Sequence, residues 1–149
     1  MNYYEISCNT LAIIPENEKK CIVYEKDKNI EIYAKSTKII DNSCKFFGSS
    51  HIGRSEGTKN LINISHKAPI IIEETRQIIF FPTTSPRLYN CAWINLNNIK
   101  RYYKLENYTI IEFYCGKKIK LLCSYSVIDN QVLRSSRLKQ VLNERINII

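Results

Sequence analysis

"CKFFGSSHIGRSEGTKN", Cys44 to Asn60, contains the run Gly48-Ser-Ser-His-Ile-Gly53-Arg54-Ser55. That run is one residue away from G-x-x-x-x-G-K-[ST], the loop whose backbone N–H groups cradle nucleotide phosphates, because Arg54 stands where the pattern has lysine. A loop of that kind sits between a parallel strand and a long helix in an alternating βα chain. Fold class therefore turns on what flanks this stretch.

The flanks are runs of strand character rather than an alternation. "YYEIS", "TLAIIP", "KCIVYEK" and "NIEIYAK" follow one another before Ser36, and Lys26-Asp-Lys-Asn29 reads as a hairpin turn between the last two. "STKIIDNSCKFF" then places apolar residues at 39, 40, 44, 46 and 47, which fits a short helix capped by Ser or Thr and ended by Gly48. Ser49 or Ser50 can cap a second short helix over "HIGRSEGTKNLINI". "KAPIII" and "QIIFFPT" return to strand character, and residues 82–90 form a loop. "CAWINLNNIKRYY" and "YTIIEFYCGKKIKLLCSY" add three strands, the last two turning at Cys115-Gly-Lys-Lys118. From Ser126 the period becomes helical: Ile128, Val132, Leu138, Leu142 and Ile146 form an apolar stripe, with Arg134, Arg137 and Arg145 on a basic flank. The expected class is α+β, mostly antiparallel β-sheet with short central helices and a C-terminal helix.

In that frame the Gly48–Ser55 run loses its nucleotide reading. No parallel strand precedes it, and Glu73 after "APIII" is an acid without an α/β frame to hold a metal. Arginine also lacks the compact ammonium that reaches between outer phosphates. The same residues suit another polyanion. In a helix, Gly53 and Gly57 share a face that admits a close backbone, and Ser49, Ser50, Ser55 and Thr58 carry small hydroxyls. The helix N-terminus offers N–H groups to phosphate oxygens, with Lys45, Arg54, Lys59 and Lys67 supplying charge. On residues alone, glycines that let the segment pack on its own core explain the pattern equally well.

The 149 residues, 44% of them hydrophobic, fit one domain over residues 1–149 with a substantial core. The net charge is +8, distributed as −1 over residues 1–35, +3 over 36–99 and +6 over 100–149. Such a gradient suggests a polyanionic partner, and a basic face made for solubility is the plain alternative. The N-terminus shows no secretory pattern and no stretch is long and apolar enough to span a bilayer, so a cytoplasmic protein with no membrane partner is expected. Cys8, Cys21, Cys44, Cys91, Cys115 and Cys123 are then expected as free thiols. No C-x-x-C pair occurs, and His51 and His66 are the two histidines, which leaves no closed-site zinc pattern and no expected cofactor. Cys44 with either histidine could in principle form a nucleophile and base, but a buried packing thiol after an apolar run is far commoner, and no enzymatic motif stands out.

"SCKFFGSSHIGRSEGT" (43–58), "ISHKAPI" (64–70), "FFPT" (80–83), "CAWI" (91–94) and "NQVLR" (130–134) together resemble the signature blocks of ComK-type competence transcription factors of Gram-positive bacteria. The resemblance is dense from about Ser36 to Thr83, looser to the final helix and weak before residue 36. It implies a DNA-binding activator of DNA-uptake genes. Such a protein would bind paired A/T-rich boxes largely from the minor groove, bend them, and assemble as a homodimer that pairs to a tetramer. RNA polymerase is a candidate further partner, and the nucleoid the place of action. Family members continue past the final helix with a tail that serves adaptor-dependent proteolysis, whereas this sequence runs to Ile149. The DNA-binding candidates are Lys45, Ser49, Ser50, Arg54, Thr58, Lys59, His66, Lys67, Arg134 and Arg137. A narrow A-tract minor groove favours inserted arginine or lysine, and no helix-turn-helix, zinc-finger or basic-zipper pattern points to the major groove instead. A regulatory paralogue that acts through protein contacts without binding DNA is the other reading.

Overall fold

A computed structural model describes residues 2–148. The described residues form nine strands, three α-helices and one turn of 3-10 helix, and the class is α+β with antiparallel sheets. Strands β1 (Thr10–Asn17), β2 (Lys20–Glu25) and β3 (Asn29–Ile32) form a meander, followed by α1 (Ser36–Phe46) and α2 (His51–Ile62). Then come β4 (Ile70–Glu73), β5 (Ile78–Pro82), β6 (Trp93–Asn95), β7 (Ile99–Leu105), β8 (Tyr108–Phe113), β9 (Lys118–Leu121) and α3 (Tyr125–Ile148). Six strands pair in the order β3-β2-β1-β6-β5-β4, and β7-β8-β9 make a separate sheet.

The run that resembles a nucleotide loop joins α1 to α2, with no strand in front of it. Gly48 supplies the turn: its φ of +87° is accessible to glycine without the steric cost a Cβ would add. Both expected hairpins form, with Glu25 N donating to Lys28 O across one and Gly116 at φ +95° in the other.

Three sequence expectations are corrected. "YYEIS" is not a strand; Tyr4 and Ile6 are buried there as single anchors, and the Tyr4 hydroxyl bonds Thr10 and Glu25. "CAWINLNNIKRYY" is two strands rather than one, because the Asn95 side chain accepts from Asn97 N and starts the 3-10 turn Leu96–Asn98. Helix α1 has no side-chain cap: Ser36 is its first residue, and its hydroxyl donates to Cys91 O at 2.6 Å instead.

Each face of the larger sheet buries its own core. On one side Ile39, Ile40 and Cys44 of α1 pack on Ile13, Val23, Ile72, Phe80 and Trp93. On the other, Ile111, Phe113, Ile119 and Leu121 of the small sheet and Ile128 of α3 pack on Leu11, Phe81 and Ile94. Alternation along each strand produces this, since successive side chains point to opposite faces. The second half of α3 closes a third cluster, with Leu138 and Leu142 against Leu61, Ile62, Ile71 and Ile79.

Candidate nucleic-acid interface

The first helical residue of α2, His51, donates its N–H to the Asp41 carboxylate of α1 at 2.9 Å. Ser50 is the N-cap, its Oγ accepting from Gly53 N at 3.0 Å. The positive end of the helix dipole thus already faces a carboxylate from the chain itself. Burial alone would raise the Asp41 pKa, but the His51 N–H and the Lys45 ammonium at 3.0 Å outweigh it and hold the carboxyl below its ordinary range. An incoming phosphate would meet Ser50 committed as a cap and Lys45 shared with Asp41.

Gly53 and Gly57 point outward. A Cβ on Gly57 would touch nothing within 4 Å, and one on Gly53 would meet only the Ser49 and Ser50 hydroxyls, at 3.3 and 3.2 Å. Packing within the chain therefore requires neither glycine. With exposed Ile52, Glu56 and Asn60 beside them, they leave a helix face that another backbone can approach closely.

Arg54 and Thr58 lie on the opposite face and turn inward. Arg54 donates to Glu74 in the β4–β5 turn, with its side chain 18% exposed and its Nε buried without a partner. Phe47, Glu73 and Thr75 line the same narrow cleft. Thr58 is 1% exposed and donates to Pro69 O at 2.6 Å. Both side chains are occupied in fastening α2 to the sheet.

At the far end of α2, roughly 18 Å away for a helix of this length, a second group of candidates meets on α3. Gln131 is buried; its Nε2 donates to Lys67 O at 2.9 Å and to Pro82 O at 2.7 Å, and its Oε1 accepts from Arg134 Nη1 at 3.1 Å. Lys67 adopts φ +51°, a left-handed conformation uncommon outside glycine, and the bonded carbonyl helps to hold it. Burial lowers the pKa of Arg134, which makes no ion pair among the described residues. A partly desolvated guanidinium without a carboxylate is a ready anion ligand. Arg137 is exposed one turn further on, His66 is exposed in the loop, and Lys59 is half-buried in the last turn of α2. The candidates thus fall into two groups, one at each end of α2.

Sequence reasoning missed Gln131 and Asp41, the residues that organise the two ends. Gln131 and Ser135 lie on the buried face of α3 with Ile128, Leu138 and Val141, whereas Ile146 of the expected stripe is exposed. The detectable signal was a glutamine at helical spacing between apolar residues.

A depression of about 660 Å3 is lined by residues of the β1–β2 hairpin with Tyr33 and Tyr89, none of them a cysteine, serine or histidine. Among the described residues no three His, Cys, Asp or Glu side chains gather as metal ligands. No described helix is long and apolar enough to cross a membrane.

A family model described as "ComK protein" matches residues 1–147. The competence transcription factor of Bacillus subtilis (strain 168) is 38% identical over 148 residues, covering 97% of this chain and 77% of the relative. No solved structure matches the chain. The match includes the first 35 residues, where the quoted signature blocks were weakest, so it embraces the β1–β3 meander as well as α2 and α3. On this evidence of sequence and extent, the chain belongs to the ComK family.

Proposed function

We propose that this protein is a transcription regulator of competence that binds duplex DNA, prefers A/T-rich sites and reads them largely from the minor groove. The observation that carries this reading is the 38% identity, over 97% of the chain, to a competence transcription factor. Physical support comes from the net charge of +8 and from the partly buried Arg134, which makes no ion pair among the described residues and is linked to the Lys67 carbonyl through Gln131. Lys67, Arg134 and Arg137 take backbone phosphates, with His66 and Lys59 at the margin. The outward Gly53–Gly57 face lets the sugar-phosphate ridge approach α2, near Lys45, Ser49 and Ser50. Arg54 and Thr58 serve indirectly, by fixing the angle of α2 on the sheet.

The chain acts as one DNA-binding domain and no catalytic step is assigned to it. In this reading it works on the nucleoid in the cytoplasm as a homodimer that pairs to a tetramer, with RNA polymerase as a further partner. The test is a fluorescence titration of A/T-rich and G/C-rich duplexes over a range of salt. Affinity should fall steeply with salt as counterions are released, and the A/T duplex should bind more tightly. Arg134→Ala should weaken binding to both duplexes about equally and lower the slope of log affinity against log salt by about one. Absence of duplex binding at low salt would transfer the function to protein contacts, and equal affinity for both duplexes would remove shape reading.

A further inference from the structure

The outward face of the β7-β8-β9 sheet carries a second concentration of positive charge. Strand register sets its rows: Arg101 lies beside Glu112, and Glu112 beside Lys118; Tyr103 lies beside Ile110, and Ile110 beside Lys120; Leu105 lies beside Tyr108. The alternate row, Tyr102, Ile111 and Ile119, faces the core, so the first three rows face away from it. Glu112 is the one carboxylate in these rows, and it is covered by the ion-paired Arg101 with 13% of its side chain exposed. Lys118 and Lys120 are exposed and make no ion pair among the described residues; nor do Lys100 and Lys104 on the β7 edge.

The cations lie over the aromatic rings. Lys120 Nζ is 3.9 Å from the centroid of Tyr108, and the Arg101 guanidinium is 5.5 Å from that of Tyr103. Lysines that only discourage pairing at a sheet edge need reach no further than solvent. Here the rings beneath hold charged heads on the face itself, which lowers the cost of ordering them on an anion. Lys117 is different: it is bound to Glu25 O and Asn29 Oδ1, and ties this sheet to the β2–β3 hairpin.

We infer that this outward face of β7-β8-β9 is a second contact surface for the phosphate backbone of duplex DNA, separate from the α2–α3 residues; the inference rests on the DNA-binding reading. Duplex DNA fits better than single strands because the two tyrosine rings are half-buried and capped by cations. Stacked bases would require open rings, whereas phosphates require the outermost charges. The surface lies across the larger sheet from α1, and α3 packs against both β7–β8 and α2.

The experiment compares the parent with Lys118→Gln/Lys120→Gln on A/T-rich and G/C-rich duplexes and on a single-stranded oligonucleotide, over a salt series. The double variant should bind both duplexes roughly ten- to thirtyfold more weakly at moderate salt, with the slope of log affinity against log salt reduced by about two. An unchanged affinity and slope in a variant whose parent binds overturns this surface and leaves the DNA-binding reading standing. Failure of the parent to bind any duplex overturns both. A loss confined to the single strand also overturns the inference. A second measurement needs no variant: acetylation of Lys118 and Lys120 in the parent should slow at least several-fold on adding duplex DNA, relative to Lys19 on the β1–β2 turn. Equal slowing at Lys19, or none at Lys118 and Lys120, overturns it.

Discussion

Arg54 of α2 is ion-paired with Glu74 of the β4–β5 turn, 20 residues away in sequence. The arginine that makes Gly48–Ser55 look like a damaged nucleotide loop is therefore a strap between a helix and a sheet. It lines one cleft with Phe47, and its head is removed from the outward glycine face of α2.

Arg54→Lys restores the nucleotide-loop pattern, yet it should create no affinity for a magnesium nucleoside triphosphate, because no strand precedes the loop. Arg54→Ala and Glu74→Gln should each cost about 0.5–1 kcal/mol of stability, since Glu74 is largely exposed. The double variant should lose less than the sum of the two. Urea denaturation of the four proteins completes the cycle, and additive losses would dismiss the pair as a strap.

Gln131→Leu should destabilise the fold by about 1–3 kcal/mol despite the gain in apolar character, because the carbonyls of Lys67 and Pro82 lose their shared donor. Amide hydrogen exchange should rise in residues 63–69 more than in β1–β3. Uniform exchange across both regions would show that Gln131 does not hold the loop.

Acid should lower the stability of the protein in two stages. Burial lowers the pKa of His51, with Lys59 adding to the effect and Asp41 opposing it. The unfolded chain therefore takes up a proton near the ordinary value, about 6.5, before the fold does, and stability declines below that pH. Asp41, held below its ordinary value, contributes stability above about pH 4 that disappears as pH falls through its folded pKa. Urea midpoints from pH 8 to 3 should show both declines, and His51→Phe should remove the first. Persistence of the first decline in that variant would assign it to another group.

Thiol reactivity should divide the cysteines by depth. All six are free, with Cys8 and Cys115 exposed. Burial pushes Cys44 and Cys91 up to about 12 and Cys21 and Cys123 to about 11, which suppresses the reactive thiolate at neutral pH. Brief alkylation of the native protein should label Cys8 and Cys115, and denaturation without reductant should expose all six. Rapid native labelling of Cys44 or Cys91, read by peptide mass spectrometry, would contradict this packing.

Much of the fold was legible in local patterns. Alternating apolar residues marked the strands, "KDKN" and "CGKK" marked the hairpins, and Ser50 and Gly48 marked helix boundaries. Consecutive strands counted against a nucleotide loop, which needs an alternating βα chain, and local periodicity reports which side of one element faces inward. That information stops at the element itself. What Arg54, Thr58 and Gln131 do depends on Glu74, Pro69, Lys67 and Pro82, which the chain brings to them across 11 to 64 residues. The contact of Asp41 with the first N–H of α2, the outward direction of Gly53 and Gly57, and the split into two sheets likewise depend on how elements meet. The sequence determined that the protein is a basic, antiparallel α+β member of its family. Tertiary structure alone decided which polar groups are spent inside it and which remain for a partner, because a hydrogen bond or ion pair exists only where packing brings both members within a few ångströms.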